Sequence, residues 1–289
     1  MIMPSSPLFW DRDFARHHKF SIADILISNG RTFLLNYQIA GDSLLVPGRL
    51  TFGGFFPRDK KSVSREESRE LMKVFRNESS AGRMLKWKLP PQYLSPEIFL
   101  AQNELSNPAA FSEIIDFNQH IDVTQWKTEK MSKGNQKKLR QSVSVGMNLK
   151  TATTDDILKC YEVLALNREA IGAQVTMTLS EVQDAVLNFP NIYQIMYLEL
   201  GEKVAAMCLT VDIYPKVRYV LYWSDNLSLR NYSPVVLLCE KLVEQARKEG
   251  IQFLDLGISS SNGSLNEGLH RFKQNLGAIT SLKKTIFSN

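Results

Sequence analysis

The order of folding signals in the first third of the chain recurs near its C-terminus. Two apolar runs, Ile25–Ile27 and Thr32–Tyr37, flank Asn29-Gly30, a dipeptide that favours the tight turn of a hairpin. Gly41-Asp42 turns the chain into Leu44-Leu45-Val46. Ser64, with Glu67 three residues on, opens a helix as a capping box. Leu71, Met72 and Phe75 line one side of that helix, whose expected end lies near Gly82, and a short strand over Met84–Leu89 stops at Pro90-Pro91. In the second pass Ile192–Leu200 and Lys203–Ile213 flank Gly201-Glu202, Pro215 breaks the chain, and Val217–Trp223 is a third strand. Ser233 as N-cap, Pro234 at the first helical position and Gly250 past the end bracket the next helix. Val235, Leu238, Cys239, Leu242 and Ala246 form its apolar stripe, and Ile251–Leu256 is the closing strand. The turn moves from Asn29 to Gly201, the cap from Ser64 to Ser233 and the last strand from Met84 to Ile251, shifts of 172, 169 and 167 residues. Three independent markers displaced by nearly one distance predict two tandem copies of one α/β unit. Each copy is expected to be a mixed, mostly antiparallel sheet flanked by helices.

A chain of 289 residues suits two domains at roughly 100–200 residues each. Helices are expected at Thr154–Ala170, bounded by Gly172, and at Ser180–Leu187, ahead of Pro190. The second unit therefore begins near residue 126, and the expected domains are 1–125 and 126–289. Purely apolar runs such as Val235–Cys239 are far short of the ~20 residues of a membrane span. Met1–Ser6 has neither a charged n-region nor an apolar h-region, so the expected location is the cytoplasm. Cys160, Cys208 and Cys239 are odd in number and widely spaced, the pattern of reduced, buried thiols. With only four histidines, two of them adjacent, no metal site is expected.

The charge has an address. Lys+Arg number 35 and Asp+Glu 30, a formal charge of +5. Residues 127–140 hold Lys127, Lys130, Lys133, Lys137, Lys138 and Arg140 against Glu129 alone, and the remainder is balanced. A cationic coat protein for nucleic acid would spread its charge over a whole face, so that class is excluded. Three readings of the segment stay open: a solvated helix face, a site for donor or acceptor phosphates, or a sequence-independent nucleic-acid contact. Trp126 flanks the segment, but aromatic residues do not interleave with it as a single-strand platform requires.

Two residues break the apolar pattern near the C-terminus. In a helix expected over Asn266–Asn275, Leu269, Phe272 and Leu276 form the stripe, and its i+4 position is Lys273. An ammonium there either snorkels to the surface or stands at the mouth of a pocket, where it stabilises charge developing on a carbonyl oxygen. Asp255 lies near the C-terminal end of an otherwise apolar strand, the end at which ligands of open α/β sheets gather. It is either a site residue or an acceptor for backbone N–H groups of the following loop, Ser259–Ser264, itself a site edge or a simple connection. The approach to the Ser233 helix, Asn226 to Tyr232, offers Arg230 and Asn231 beside a helix N-terminus. No glycine there lets the backbone wrap round a pyrophosphate, so an ordinary capped helix fits as well.

These residues, taken together, resemble the Fem-type transferases of the GNAT fold. The resemblance rests on Trp223-Ser224, Asn226, Arg230 and Pro234 before a helix, and on Ala246-Arg247-Lys248-x-Gly250. It continues through Asp255-x-Gly257 and Gly268-Leu269-x-x-Phe272-Lys273-x-x-x-Gly277. Lys137–Gly146 resembles the family's interdomain basic segment and Tyr161–Gly172 the helix after it, while Phe52-Gly53-Gly54 and Pro90-Pro91-x-Tyr93 resemble the first unit. The chain lacks the glycine-rich pyrophosphate loop of acyl-CoA-dependent GNAT enzymes and the long helical arm of some Fem proteins.

The resemblance implies two tandem GNAT-like units and transfer of an acyl or aminoacyl group to an amine. The donor substrate would be an acyl-CoA or other acyl thioester, or an aminoacyl-tRNA. The acceptor would be a small-molecule or peptide amine, and no tightly bound cofactor is expected. Lys273 and Phe272 map onto the family's catalytic pair, with Asp255 and Tyr222 as candidate bases. Trp223, Asn226, Arg230, Asn231 and Ser233 are the candidate donor-binding residues, and Lys137, Lys138 and Arg140 the candidate phosphate contacts. The rival class is a Fem-like scaffold without transfer chemistry that binds an acyl, peptide or nucleic-acid ligand.

Overall fold

The computed structural model describes residues 8–48, 50–80, 82–94 and 111–288, and Met1–Ser6 lies outside them. The elements run β1 (Ser21–Leu26), β2 (Thr32–Ala40), β3 (Ser43–Val46) and β4 (Phe55–Pro57), preceded by α1 (Arg12–His17). Next come α2 (Arg65–Ser80), β5 (Met84–Lys88), β6 (Phe111–Asp122), α3 (Lys133–Ser144) and β7 (Asn148–Thr151). They are followed by α4 (Asp156–Ala170), α5 (Leu179–Asn188), β8 (Tyr193–Leu200), β9 (Lys203–Tyr214) and β10 (Val217–Asp225). The chain ends with α6 (Pro234–Lys248), β11 (Phe253–Ile258), β12 (Ser260–Ser261), β13 (Ser264–Leu265), α7 (Glu267–Asn275) and β14 (Ile279–Ser288).

Two compact units result. The C-terminal unit takes Gln119–Gly257 and Gly268–Ile279. The N-terminal unit takes the described residues up to Asn118, with Ile258–Glu267 and Thr280 onward. The division falls at Asn118/Gln119, against 125/126 from the sequence, and the chain returns twice to the N-terminal unit. Pairing explains the last return: Thr285, Ile286 and Phe287 of β14 lie antiparallel to Lys88, Trp87 and Lys86 of β5.

Both units repeat one topology. In the N-terminal unit β1 and β2 form the Asn29-Gly30 hairpin, β3 is antiparallel to β2, and α2 carries the chain over to β5, parallel to β3. In the C-terminal unit β8 and β9 form the hairpin, β10 is antiparallel to β9, and α6 carries the chain over to β11, parallel to β10. The Ser64–Glu67 capping box is present in full: Ser64 N–H donates to the Glu67 carboxylate at 2.8 Å, and Glu67 N–H donates to Ser64 Oγ at 3.2 Å. Ser233 departs from expectation. It stands at the N-cap of α6, but its backbone is left-handed (φ 54°) and its side chain makes no capping bond. The 3-10 turn Leu227–Tyr232 ends on Ser233, whose carbonyl instead accepts from Ser142 Oγ at 3.2 Å.

Each sheet has its own core. Phe33, Leu35, Phe55, Leu71, Phe75, Leu85 and Trp87 pack together in the N-terminal unit. In the C-terminal unit Val236, Leu237, Leu242 and Val243 of α6 pack on Val220, Leu254 and Leu256. The strands β6 and β14 had no clear sequence signal. In β6, Asn118, Gln119 and His120 are all buried, so polar residues occupy positions where a period of two calls for apolar ones.

A buried ion triad ties β10 to the strand and helix end beside it. Arg218, 1% exposed, donates through Nε and Nη2 to the Asp212 carboxylate at 2.7 and 2.9 Å and pairs with Glu249 at 2.7 Å. Removing one partner strands buried charge, so Arg218→Met should destabilise the unit by about 3–5 kcal/mol in urea denaturation.

Candidate active site

The two parallel strand pairs differ in one respect. Ser43–Val46 of β3 pair with Met84–Trp87 of β5 along the whole of β3. In the C-terminal unit the register joins only Val217, Arg218 and Tyr219 to Phe253, Leu254 and Asp255. Beyond Tyr219 and Asp255 the pairing stops, while β10 continues to Asp225 and β11 to Ile258. A register shift between Val220 and Tyr222 against β9 turns β10 at this point, as a bulge does. The ladder thus leaves a gap between the two strands at the C-terminal ends of a parallel pair, where ligands bind in open α/β sheets.

The residue that broke the apolar stripe of α7 lies at this gap. Lys273 is 2% exposed and is the most deeply buried side chain of its helix. It does not snorkel: its ammonium donates to the Gly257 carbonyl at 3.0 Å. Burial lowers its pKa to about 8, and the Asp255 carboxylate opposes that fall. Asp255, 1% exposed, accepts the Gly257 N–H at 2.7 Å. Gly257 therefore has both its backbone groups engaged, one by each charged residue. Its φ is +73°, and an added Cβ would lie 2.9 Å from Tyr219 Oη, so only glycine fits. Burial, with Asp255 and Tyr222 nearby, raises the Tyr219 phenol above its usual range. Burial also lowers the pKa of His120, against Asp255 and Asp122, and its ring meets Phe253 edge-on at 5.6 Å. Tyr219, Gly257 and His120 were not singled out from the sequence as site residues. Tyr219 and His120 sit inside runs with no motif, and only the register brings Tyr219 opposite Asp255.

Neighbouring residues of β10 serve opposite faces of the sheet. Trp223 packs edge-on against Phe272 at 5.7 Å, on the α6 side with Leu229 and Tyr232. Tyr222 points the other way, to the connection between α4 and α5: its Oη accepts the Met177 N–H at 3.2 Å and shares a short bond with Thr176 Oγ1. The Tyr222 hydroxyl is thus committed to holding that connection.

The candidate donor residues are also bonded within the unit. Asn226 accepts from Ser228 N–H at 3.0 Å and donates to the Val204 carbonyl at 3.2 Å. Arg230 forms a two-point pair with Asp225 at 2.8 and 3.0 Å. Asn231 is exposed, and Ser233 has the left-handed geometry described above. Lys137, Lys138 and Arg140 are exposed on α3, which buries Asn135, Leu139 and Ser142. At 100° per residue, Lys133, Lys137 and Arg140 fall on the face opposite the buried one, and Lys138 lies beside it. Asn135 Nδ2 donates to the Asn275 carbonyl at 3.0 Å, and Trp126 Nε1 to that of Leu276 at 2.9 Å, so the basic segment is fastened to the end of α7. The Ser259–Ser264 loop is the β12–β13 hairpin of the N-terminal unit, where Ser260 Oγ bonds to Asp116 at 2.6 Å.

Burial raises the three cysteine thiols to about 12, far from thiolate chemistry. Among the described residues no group of three His, Cys, Asp or Glu side chains is placed to hold a metal ion. Among them, too, no helix is long and apolar enough to cross a membrane.

No protein-family model and no curated protein sequence matches the chain. Solved structures do. FemX superposes with a TM-score of 0.68 at 11% identity, covering 97% of this chain and 93% of that one. L-PGS from Bacillus licheniformis gives 0.61 at 12% identity, covering 92% and 83%. A tandem GNAT protein from the clavulanic acid biosynthesis pathway gives 0.51 at 10% identity, covering 93% and 83%. The fold is the Fem-type tandem GNAT fold. Of the two units the C-terminal one is that whose parallel strands part, and of its candidate residues Lys273 and Asp255 meet at Gly257.

The depressed Lys273 pKa has a consequence for stability. Between about 8 and the usual lysine value the unfolded chain holds the proton that the folded chain has lost. Lysine's contribution to stability therefore rises with pH across that window. The melting temperature of wild type relative to Lys273→Met should climb from pH 8 to pH 10, as read by calorimetry; a constant difference would place the ammonium in contact with water.

Proposed function

We propose that the C-terminal unit transfers an acyl or aminoacyl group from an activated donor to an amine. The observation that carries this reading is the parting of β10 from β11 beside the buried Lys273 ammonium. The donor, an acyl-CoA or an aminoacyl-tRNA, enters the gap with its thioester or ester carbonyl near the strand ends. The amine attacks the carbonyl carbon, and the π electrons move to oxygen. Lys273 and a backbone N–H at the gap stabilise that oxyanion. Collapse expels the thiolate or ribose alkoxide, which takes up, by way of water, the proton that the attacking nitrogen loses. Asp255 fixes Gly257 and favours the charged form of Lys273, Phe272 braces the Lys273 turn against Trp223, and Tyr222 holds the α4–α5 connection. Lys137, Lys138 and Arg140 contact donor phosphates.

A binding module without transfer chemistry is the second reading. Its support is that Asn226 and Arg230 are already bonded within the unit, as is the Lys273 ammonium. Thermal-shift screening against acyl-CoAs, aminoacyl-tRNA and a nucleotide-linked sugar peptide, followed by mass spectrometry, separates the two. A donor-specific shift with a transferred product supports the enzyme; a shift with an acceptor-like peptide alone supports the module.

Lys273→Ala should lower turnover by roughly 10²–10³ with an unchanged far-ultraviolet spectrum. Wild-type turnover should fall as pH rises through about 8, where the ammonium is lost; a flat profile there, or near-normal turnover of the variant, removes Lys273 from the chemistry. Replacing Lys137, Lys138 and Arg140 with glutamine should weaken donor binding and flatten its dependence on salt. An unchanged salt slope would make that face a solvated surface only.

A further inference from the structure

Arg168 of the C-terminal unit has no counter-ion among the described residues. Arg168, in the last turn of α4, lies with its guanidinium carbon 5.9 Å from the centroid of the Tyr222 ring. Its Nε is shielded from solvent and has no hydrogen-bond partner. No carboxylate among the described residues pairs with it. The ring and the C-terminal end of the helix dipole offset part of its desolvation. Neither satisfies its Nε–H.

The acid held by the preceding residue is committed elsewhere. Asn167, next to Arg168, donates to the Asp225 carboxylate at 2.6 Å, and Arg230 takes the same carboxylate at two points. The connection over Arg168 is pinned: Tyr161 Oη donates to the Met177 carbonyl at 3.0 Å, and Tyr222 Oη receives Met177 N–H. Two residues beyond Tyr222 on the same face of β10, Ser224 is 3% exposed, and its Oγ has no hydrogen-bond partner. A planar cation and a buried hydroxyl thus share the face of the parting strand that points away from α6. The start of α6, where donor phosphates would lie, is on the opposite face with Trp223.

We propose that Arg168 reads a carboxylate on the acceptor, so that the substrate amine belongs to an amino acid or a peptide with a free carboxyl group. The proposal rests on the transfer reading and adds the acceptor's chemical class to it. The fork of Arg168 matches a carboxylate at two points, and none of the described residues supplies one. An acceptor held from the α4 side would present its amine to a donor carbonyl in the gap.

Arginine Nε–Hε resonances of the isotope-labelled full chain test this without turnover, with the Arg168 signal assigned by its loss in Arg168→Lys. Alanylalanine should shift that signal and its C-terminal amide should not. An equal shift from the amide overturns the proposal, as does a response to inorganic phosphate with none to the dipeptide, which would assign Arg168 to a donor phosphate. With a working donor, Arg168→Met should raise KM for the carboxylate acceptor roughly 10–100-fold over that for its amide, with kcat little changed. Arg168→Lys should recover part of the loss. Equal losses for both acceptors would make Arg168 a brace for Tyr222. The donor's own thermal shift should survive in both variants; if wild type shows none, the transfer reading falls, while the resonance titration still decides Arg168.

Discussion

The candidate site depends on one glycine held between two buried charges. Gly257 gives its carbonyl to Lys273 and its N–H to Asp255, and its missing side chain leaves room for Tyr219. Each charge would be costly in that setting alone. Together they balance, and the balance is local: the acid sits on β11, the ammonium on α7, and the backbone between them forms the end of the strand. Burial away from water is the main cause of the lowered lysine pKa. This knot fixes where β11 stops and where the ammonium lies relative to the gap. The Trp223–Phe272 contact braces the same helix turn.

The duplication explains why one unit carries the candidate site. Both units run hairpin, third strand, helix and parallel fourth strand. In the N-terminal copy the parallel pair stays joined along β3, and Trp87, fully buried, donates from Nε1 to the Gly53 carbonyl. Where the C-terminal copy opens, the N-terminal copy is packed with indole. One topology thus supports two outcomes, set by the length of one register.

Much of the scaffold was legible because its signals are local. Asn29-Gly30, the Ser64–Glu67 box and the Pro234–Gly250 bracket each act within a few residues, and each marks an element that the structure contains. Lys273 stood out because it violates a helical stripe. What escaped depends on neighbours distant in sequence. Tyr219 matters only through its register with Asp255, and Arg168 looks like any charged residue of a helix end until its lack of a partner is known. The strand β6 escaped because its buried Asn118, Gln119 and His120 defeat the alternation by which strands are recognised. Asn226 and Arg230 illustrate the converse: suited to an anion by type, they are taken up by Asp225, Ser228 and Val204.

The path of the C-terminal strand bears on how the chain is made. In the N-terminal sheet β14 lies between β5 and β6, so residues near position 285 complete a sheet begun near position 21. During synthesis the strands of the N-terminal unit up to β6 emerge first, yet the strand for that place follows only after the C-terminal unit has been made. The C-terminal unit, by contrast, needs nothing beyond Ile279. The half made first is therefore the half closed last, and until then its unpaired strands are exposed to other chains.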